Sequence, residues 1–223
     1  ILPSPAIQSV LEDIFREVKQ EDNLGKLADY IPGLRNISPE KLGLYLCTTD
    51  LERYFVGDVR ERFSIQSIAK VFSLTLAFEL EGEKLWQRVD VEPSGNPFNS
   101  LVLLEYEAGK PRNPFINAGA LVVCDVLVSQ LANPKQDLLH FIRRVAANPS
   151  LDYSPLIAAE ENATGFRNHA LINLMKDCGN IHNDIDTVLD LYFHLCSIEM
   201  TCEELSQAFL FLACRGKNPL NGE

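Results

Sequence analysis

Basic residues are scarce in this chain: 20 Lys and Arg stand against 31 Asp and Glu over 223 residues, a formal net charge of −11. Nucleic acids and anionic membrane surfaces are met by basic patches, and no Lys/Arg-rich block occurs, so neither is an expected partner. Long apolar runs are also missing. The longest, Ala118 to Val128, is interrupted by Asp125 and is too short to cross a bilayer. The opening ILPSPAIQSV lacks the basic head and continuous apolar stretch of a secretory signal. It also lacks an initiator Met, so a processed or trimmed start is expected. The six cysteines, Cys47, Cys124, Cys178, Cys196, Cys202 and Cys214, form no Cys-x-x-Cys pair. All six fall in stretches read as helix or strand, mostly among apolar neighbours. That excludes a disulfide framework or zinc ribbon and points to buried, reduced thiols in a soluble cytoplasmic protein. Repeats, low-complexity tracts and Gly/Ser linkers are absent.

What is present is enough apolar sequence, 46%, for a real core in one or two domains. Ile7, Val10, Leu11, Ile14, Phe15 and Val18 follow the i, i+3, i+4, i+7 pattern, and with Ser4 and Pro5 as start signals they predict a helix over 5–20. Residues 42–49 and 52–57 read as two strands joined at Asp50. A helix is expected from Ser67 to Glu81, stopped by Gly82. Residues 88–117, rich in Pro, Asn and Gly, read as one long irregular stretch, and such loops tend to carry function. Beyond it helices are expected over 117–131, 136–147, 167–178, 184–197 and 202–214, the last opened by a Thr201/Glu204 capping box. Two strands alone do not make a stable sheet, so further strands are expected to pair with them.

The chemistry begins at Ser67 and Lys70, in the string FSIQSIAKVFSLTLAFELEG. Residues three apart share a helix face, so the amine can reach the hydroxyl. Serine needs an adjacent base to act as a nucleophile. A lysine among Ile68, Val71, Phe72 and Leu74 would be partly desolvated, which lowers its pKa toward that of a working base. If Ser67 opens the helix, backbone N–H groups stand where negative charge would develop. A second Ser-x-x-Lys, Ser38 to Lys41, explains itself as an N-cap followed by Pro39 at the first helical position.

Six strings in order carry a resemblance: ADYIP at 28–32, FSIQSIAK at 63–70, EPSGNPFNS at 92–100, KPRNPFINAGAL at 110–121, ENATGFRN at 161–168 and LYFHLCSIEMTCEEL at 191–205. Together they make the chain similar to the serine-dependent glutaminases of the bacterial type. The resemblance implies an α+β fold of the β-lactamase/transpeptidase kind, with a helical subdomain and an antiparallel sheet incomplete in this chain. It implies a single domain divided at 66/67 into an N-terminal helix with the first strands and a nucleophile helix with the helical subdomain. It implies hydrolysis of L-glutamine to L-glutamate and ammonia through a γ-glutamyl ester on Ser67, with Lys70 as general base. Gln66, Tyr30, Asn117, Glu161, Asn168 and Tyr192 then surround the substrate, with Tyr192 also placed among the catalytic residues. Relatives of this kind continue for about a further third, supplying more strands, a second tyrosine, a Lys-Ser-Gly motif and an oxyanion-hole amide. A shorter chain is expected to be inactive. A homodimer or homotetramer is the expected assembly, with no cofactor.

The chemistry of the residues agrees with those roles. A zwitterionic amino acid needs a carboxylate for its ammonium, which Glu161 offers, and neutral donors for its carboxylate, which Asn117 and Asn168 offer. Tyr192 can share a hydrogen bond with Ser67 or relay a proton. Read without the resemblance, Asn117 and Asn168 would cap helices, Glu161 would be a surface acid beside Glu160, and Tyr192 would be core. Glu160 stands where the family usually has a small polar residue. His182-Asn183-Asp184-Ile185-Asp186 has the residue types of a metal site but precedes a helix, where such acids serve as caps, and no metal is expected. Two other readings compete: a β-lactamase or penicillin-binding type of Ser-x-x-Lys hydrolase, for which the chain has no Lys-Thr-Gly, and an inactive glutamine-binding module.

Overall fold

The computed structural model describes residues 4–22, 24–29 and 31–222. The backbone gathers into two compact units, each assembled from segments distant in sequence. One takes the N-terminal segment through Phe63, Ile142–Leu151 and the segment from Glu199 onward; the other takes Ser64–Phe141 and Asp152–Ile198.

The first unit opens with α1 (Ser4–Gln20), close to the bounds its apolar period predicts. Val10, Ile14 and Val18 on that stripe remain nearly half exposed. A single turn of helix, α2 (Pro32–Arg35), follows, with Pro32 in its first turn. Strands β1 (Gly43–Cys47) and β2 (Arg53–Gly57) then form an antiparallel hairpin in the register Gly43↔Gly57, Tyr45↔Phe55, Cys47↔Arg53. The opposed rings of Tyr45 and Phe55 stack 5.8 Å apart, a cross-strand pair that favours this register. The Ser38–Lys41 copy forms a turn instead of the expected helix start; Ser38 Oγ accepts from the Glu40 N–H at 3.3 Å. The two-residue strand β3 (Phe63–Ser64) carries the chain out of this unit.

The second unit is helical. A 3-10 turn over Gln66–Ala69 leads into α3 (Lys70–Glu81), so the α-helix begins three residues later than the sequence suggests. A 3-10 segment over Gly82–Gln87 and a short α4 (Val102–Tyr106) follow, the latter inside the stretch read as wholly irregular. Helix α5 (Asn117–Gln130) is buried continuously from Asn117 to Leu127, as expected for a helix apolar all round. It packs against α3 and, later in the chain, against two further helices. Helix α6 (Pro134–Val145) starts at the proline, and its residues from Ile142 on belong to the first unit. Next come α7 (Pro155–Thr164), α8 (Phe166–Asp177) and α9 (Ile185–Cys196); α9 packs on α5, α7 and α8.

One buried carboxylate organises this unit. Asp125, fully buried on α5, accepts from Arg88 Nη2 at 2.5 Å, from the His182 N–H at 3.1 Å and from the Asn183 N–H at 2.9 Å. The His182–Asp186 string is therefore held by its backbone, and Asp184 caps α9 by accepting from the Thr187 N–H at 3.0 Å. Among the described residues no cluster of three His, Cys, Asp or Glu is arranged to hold a metal.

After the two-residue β4 (Glu199–Met200), the last helices belong to the first unit. The segment expected as one helix over 202–214 breaks at Phe209 into α10 (Cys202–Ala208) and α11 (Leu210–Ala213). The Thr201/Glu204 capping box forms, and α10 lies on β1 with Glu203 bound to Arg53 at 2.8 Å. All six cysteines are free, but only Cys124 and Cys196 are buried; Cys178 is exposed and Cys47, Cys202 and Cys214 are half-buried. The expectation of uniformly buried thiols is corrected accordingly, since Cys178 follows α8 at its open end. No helix among the described residues is long and apolar enough to cross a membrane.

Candidate active site

The site lies in the second unit and starts from a strained turn. Ile65 is pinned by its N–H to the Ile198 carbonyl at 2.8 Å. The next residue, Gln66, takes φ 48°, a left-handed backbone that non-glycine residues adopt at a cost. Its side chain donates to Ser64 Oγ at 3.1 Å. The turn that follows is 3-10, in which residues i and i+3 eclipse one another. Ser67 and Lys70 therefore share an edge by a tighter geometry than the α-helix expected. Ser67 is solvent-exposed and Lys70 is 2% exposed.

Lys70 Nζ donates to the Phe115 carbonyl at 3.0 Å and to Asn117 Oδ1 at 2.7 Å. The Phe98 ring lies over it, 6.0 Å from Nζ to the centroid. Burial pushes the Lys70 pKa below its ordinary 10.5. Its ionisable neighbours are the thiols of Cys196 and Cys124, and burial raises both, Cys196 to about 12, so they stay neutral. Among the described residues no anion pairs with Lys70, and no hydrogen bond joins it to Ser67.

Asn117 extends the chain of contacts. Ile116 takes the N-cap position of α5, and the Asn117 side chain makes no cap. Instead Asn117 Nδ2 donates to Asn168 Oδ1 at 2.9 Å, and both asparagines are buried. Asn168 is the third residue of α8 and does not open it. The NPFINAGA string explains how Asn117 is placed. Gly119 has no Cβ because one would sit 1.9 Å from the Asn113 carbonyl oxygen, so α5 can start directly against that backbone. ENATGFRN works similarly: a Cβ on Gly165 would lie 2.7 Å from the Phe193 ring, and its absence lets the α7–α8 junction rest on α9.

Glu161 lies in the last turn of α7 and is buried, contrary to a surface-acid reading. Its Oε1 has no hydrogen-bond partner among the described residues. Burial raises its pKa above the ordinary 4.5, and the neighbouring Gln66 amide pulls the other way. Tyr192 on α9 is 3% exposed, and burial, with Cys196 one helical turn on, holds its phenol neutral. Tyr30 lies outside the described residues. The structure thus gathers Gln66, Ser67, Lys70, Asn117, Glu161, Asn168 and Tyr192 in one unit. It adds the Phe115 carbonyl and the Phe98 ring, which spacing alone did not single out, although both lie inside quoted strings.

An exposed serine one tight turn from a buried lysine with no anionic partner among the described residues, on an α+β scaffold, makes this the candidate site of a hydrolase. The glutaminase family model matches residues 25–223, and the chain belongs to the glutaminase family. It is 59% identical to a glutaminase of Saccharophagus degradans over 212 residues, 95% of this chain and 69% of that protein. It is 52% identical to a glutaminase of Klebsiella pneumoniae subsp. pneumoniae, with the same shares covered, 95% and 69%. Among solved structures, a probable glutaminase, ybaS, superposes with TM-score 0.91 at 30% identity, covering all of this chain and 72% of that one. Mglu in its tris and glutamate form superposes with TM-score 0.89 at 27% identity, and this chain spans 49% of its length.

Proposed function

We propose that the chemistry this site serves is hydrolysis of the side-chain amide of L-glutamine to L-glutamate and ammonia through a γ-glutamyl ester on Ser67. The observation that carries this reading is the environment of Lys70. A free amine has two N–H bonds and one lone pair. Two acceptors stand against Nζ, the Phe115 carbonyl and Asn117 Oδ1, and burial opposes a third proton. The lone pair is left as the base for Ser67.

In the first step the Lys70 lone pair takes the Ser67 hydroxyl proton as Oγ bonds to the amide carbon. The resulting ammonium then gives that proton to the amide nitrogen, the C–N bond breaks and ammonia leaves. In the second step Lys70 takes a proton from water, the water oxygen bonds to the ester carbon, and the proton returns to Ser67 Oγ as the ester opens. Glu161, buried with an unpartnered oxygen, suits the substrate's α-ammonium. With Asn168 Oδ1 taken by Asn117, the Asn168 amide N–H groups suit the α-carboxylate. Tyr192, kept as a neutral phenol, suits a hydrogen-bond donor to the substrate. Mglu, one of the similar structures, is described in a glutamate form, which agrees with a glutamate-sized product site.

The test is ammonia release from glutamine by Ser67→Ala and Lys70→Ala proteins. Each single change is expected to abolish turnover, and the double variant to fall no further, because the two side chains act as a unit. Intact mass after a glutamine pulse should show the acyl adduct on the unmodified enzyme alone. Turnover retained by folded Ser67→Ala protein refutes the reading.

A further inference from the structure

Lys70 is held by a backbone carbonyl, and something must hold the carbonyl. Phe115 lies in an irregular segment between Pro111 and the start of α5. Its ring is half-exposed, so packing does not fix the peptide. The fixing contacts come from Asn113. Its Oδ1 accepts from the Phe115 N–H at 3.0 Å and from the Ile116 N–H at 3.1 Å. Its Nδ2 donates to the Glu92 carbonyl at 2.9 Å. Glu92 in turn donates its N–H to the Arg112 carbonyl at 2.7 Å, so the segments about 92 and 112 are tied together. Gly119 lets the Asn113 backbone lie against α5. One side chain therefore fixes the peptide that carries the carbonyl Lys70 uses, through the Ile116 N–H, and the peptide before it, through the Phe115 N–H.

Resting on the acyl-enzyme reading, we infer that Asn113 is a positioning residue for the general base: by gripping the Phe115 and Ile116 N–H groups it aims the Phe115 carbonyl at Lys70 Nζ. Without that grip the peptide can rotate, and Lys70 keeps one acceptor where it had two. A buried N–H is then left unmet, and the amine moves to satisfy it. Misplacing a reacting group by about 1 Å can cost up to ~100-fold in rate. Asn113 makes no bond to the groups assigned to the substrate, so the loss falls on kcat.

Two variants separate positioning from simple structural support. Asn113→Ala and Asn113→Asp both lose the bond to Glu92. Only Asn113→Asp keeps an oxygen that accepts from both N–H groups. Each is assayed with glutamine on the alkaline plateau of its own pH profile, where Lys70 is the free base, with rates referred to folded protein. Asn113→Ala is expected to lose at least ~10-fold in kcat with KM within twofold. Asn113→Asp should hold kcat within about threefold while its melting temperature falls as far as that of Asn113→Ala. Wild-type kcat in Asn113→Ala, equal loss in both variants, or a loss carried by KM each overturns the inference. Should Asn113→Ala fail to fold, Asn113→Ser, whose shorter arm reaches fewer of those groups, should fall between wild type and a tenfold loss; wild-type kcat there overturns it too. Ser67→Ala in the same assay keeps the two questions apart, because activity surviving there removes the acyl-enzyme reading and leaves the Asn113 comparison to be read by itself.

Discussion

Replacing Glu161 by Gln should make the empty protein more stable and the site nearly blind to glutamine. Glu161 is 8% exposed and its Oε1 meets no donor among the described residues. A buried charged acceptor left unmet costs about 1–3 kcal/mol. Glutamine is nearly isosteric and removes the charge, though its amide must also find partners, so a net gain of about 1–2 kcal/mol is expected. For a chain of this length that raises the melting temperature by roughly 2–8 °C. The cost appears on binding. Losing the buried partner of an ammonium is worth about 2–4 kcal/mol, or roughly 30- to 1000-fold in affinity.

The pH dependence tests the cause. Burial raises the Glu161 pKa above 4.5, so the folded state holds this proton more tightly than the unfolded chain. The favourable contribution of that proton is complete below pH 4.5 and is lost as pH rises through the raised folded value. The advantage of Glu161→Gln should therefore open above pH 4.5 and level off once the wild-type carboxyl is ionised in the folded protein. Thermal melts from pH 4 to 8, with calorimetry using glutamate at pH 7, make the measurement. A Glu161→Gln protein that melts lower than wild type at pH 7, or that binds glutamate unchanged, refutes the reasoning.

As the proposed general base Lys70 must lose a proton to act, so kcat/KM should rise with pH through a limb centred below 10.5, and Asn117→Asp, which sets a carboxylate where Oδ1 lies 2.7 Å from Nζ, should move that limb upward by about 1–3 units. Asp125→Ala leaves Arg88, whose side chain is 18% exposed, without its carboxylate and with only Asn180 to accept from it, and frees two backbone N–H groups; a loss of about 3 kcal/mol or more is expected in urea melts. Gly119→Ala forces a methyl to 1.9 Å from the Asn113 oxygen, so α5 must shift, and kcat should drop along with the melting temperature. An alanine variant with wild-type kcat would show that this close approach does not set the site.

Much of this was legible in the sequence. The α1 stripe, the hairpin, the Thr201 capping box and the strings of the glutaminase family are all local patterns. Helix α7 escaped because its ten residues lack a clear 3.6 period, although Ser154-Pro155 supplied a start signal. The start of α3 was misplaced because nothing in Gln66 announces a left-handed backbone; tertiary bonds such as that of Ile65 to Ile198 impose it. In the site, residue types were readable but partners were not. Lys70 meets Phe115 and Asn117 across 45 and 47 positions, and one of those acceptors is a main-chain carbonyl that no side-chain spacing reveals.

On the acyl-enzyme reading, the separation of Lys70 from Glu161 carries the chemistry. Both are buried in the same unit, and their ordinary charges are opposite. An ion pair between them would raise the lysine pKa and lower that of the glutamate. The shifts run the other way for both, with burial the leading cause in each case, and no salt bridge joins the two. Had they paired, Lys70 would be an ammonium with no lone pair for Ser67, and Glu161 would have no charge left for an incoming cation. A neutral asparagine, Asn117, itself bonded to Asn168, occupies the contact where a carboxylate would have quenched the base. Glu161, with an oxygen unmet among the described residues, is a cost to stability. On the acyl-enzyme reading, a zwitterionic substrate relieves that cost at Glu161 while leaving the Lys70 lone pair free.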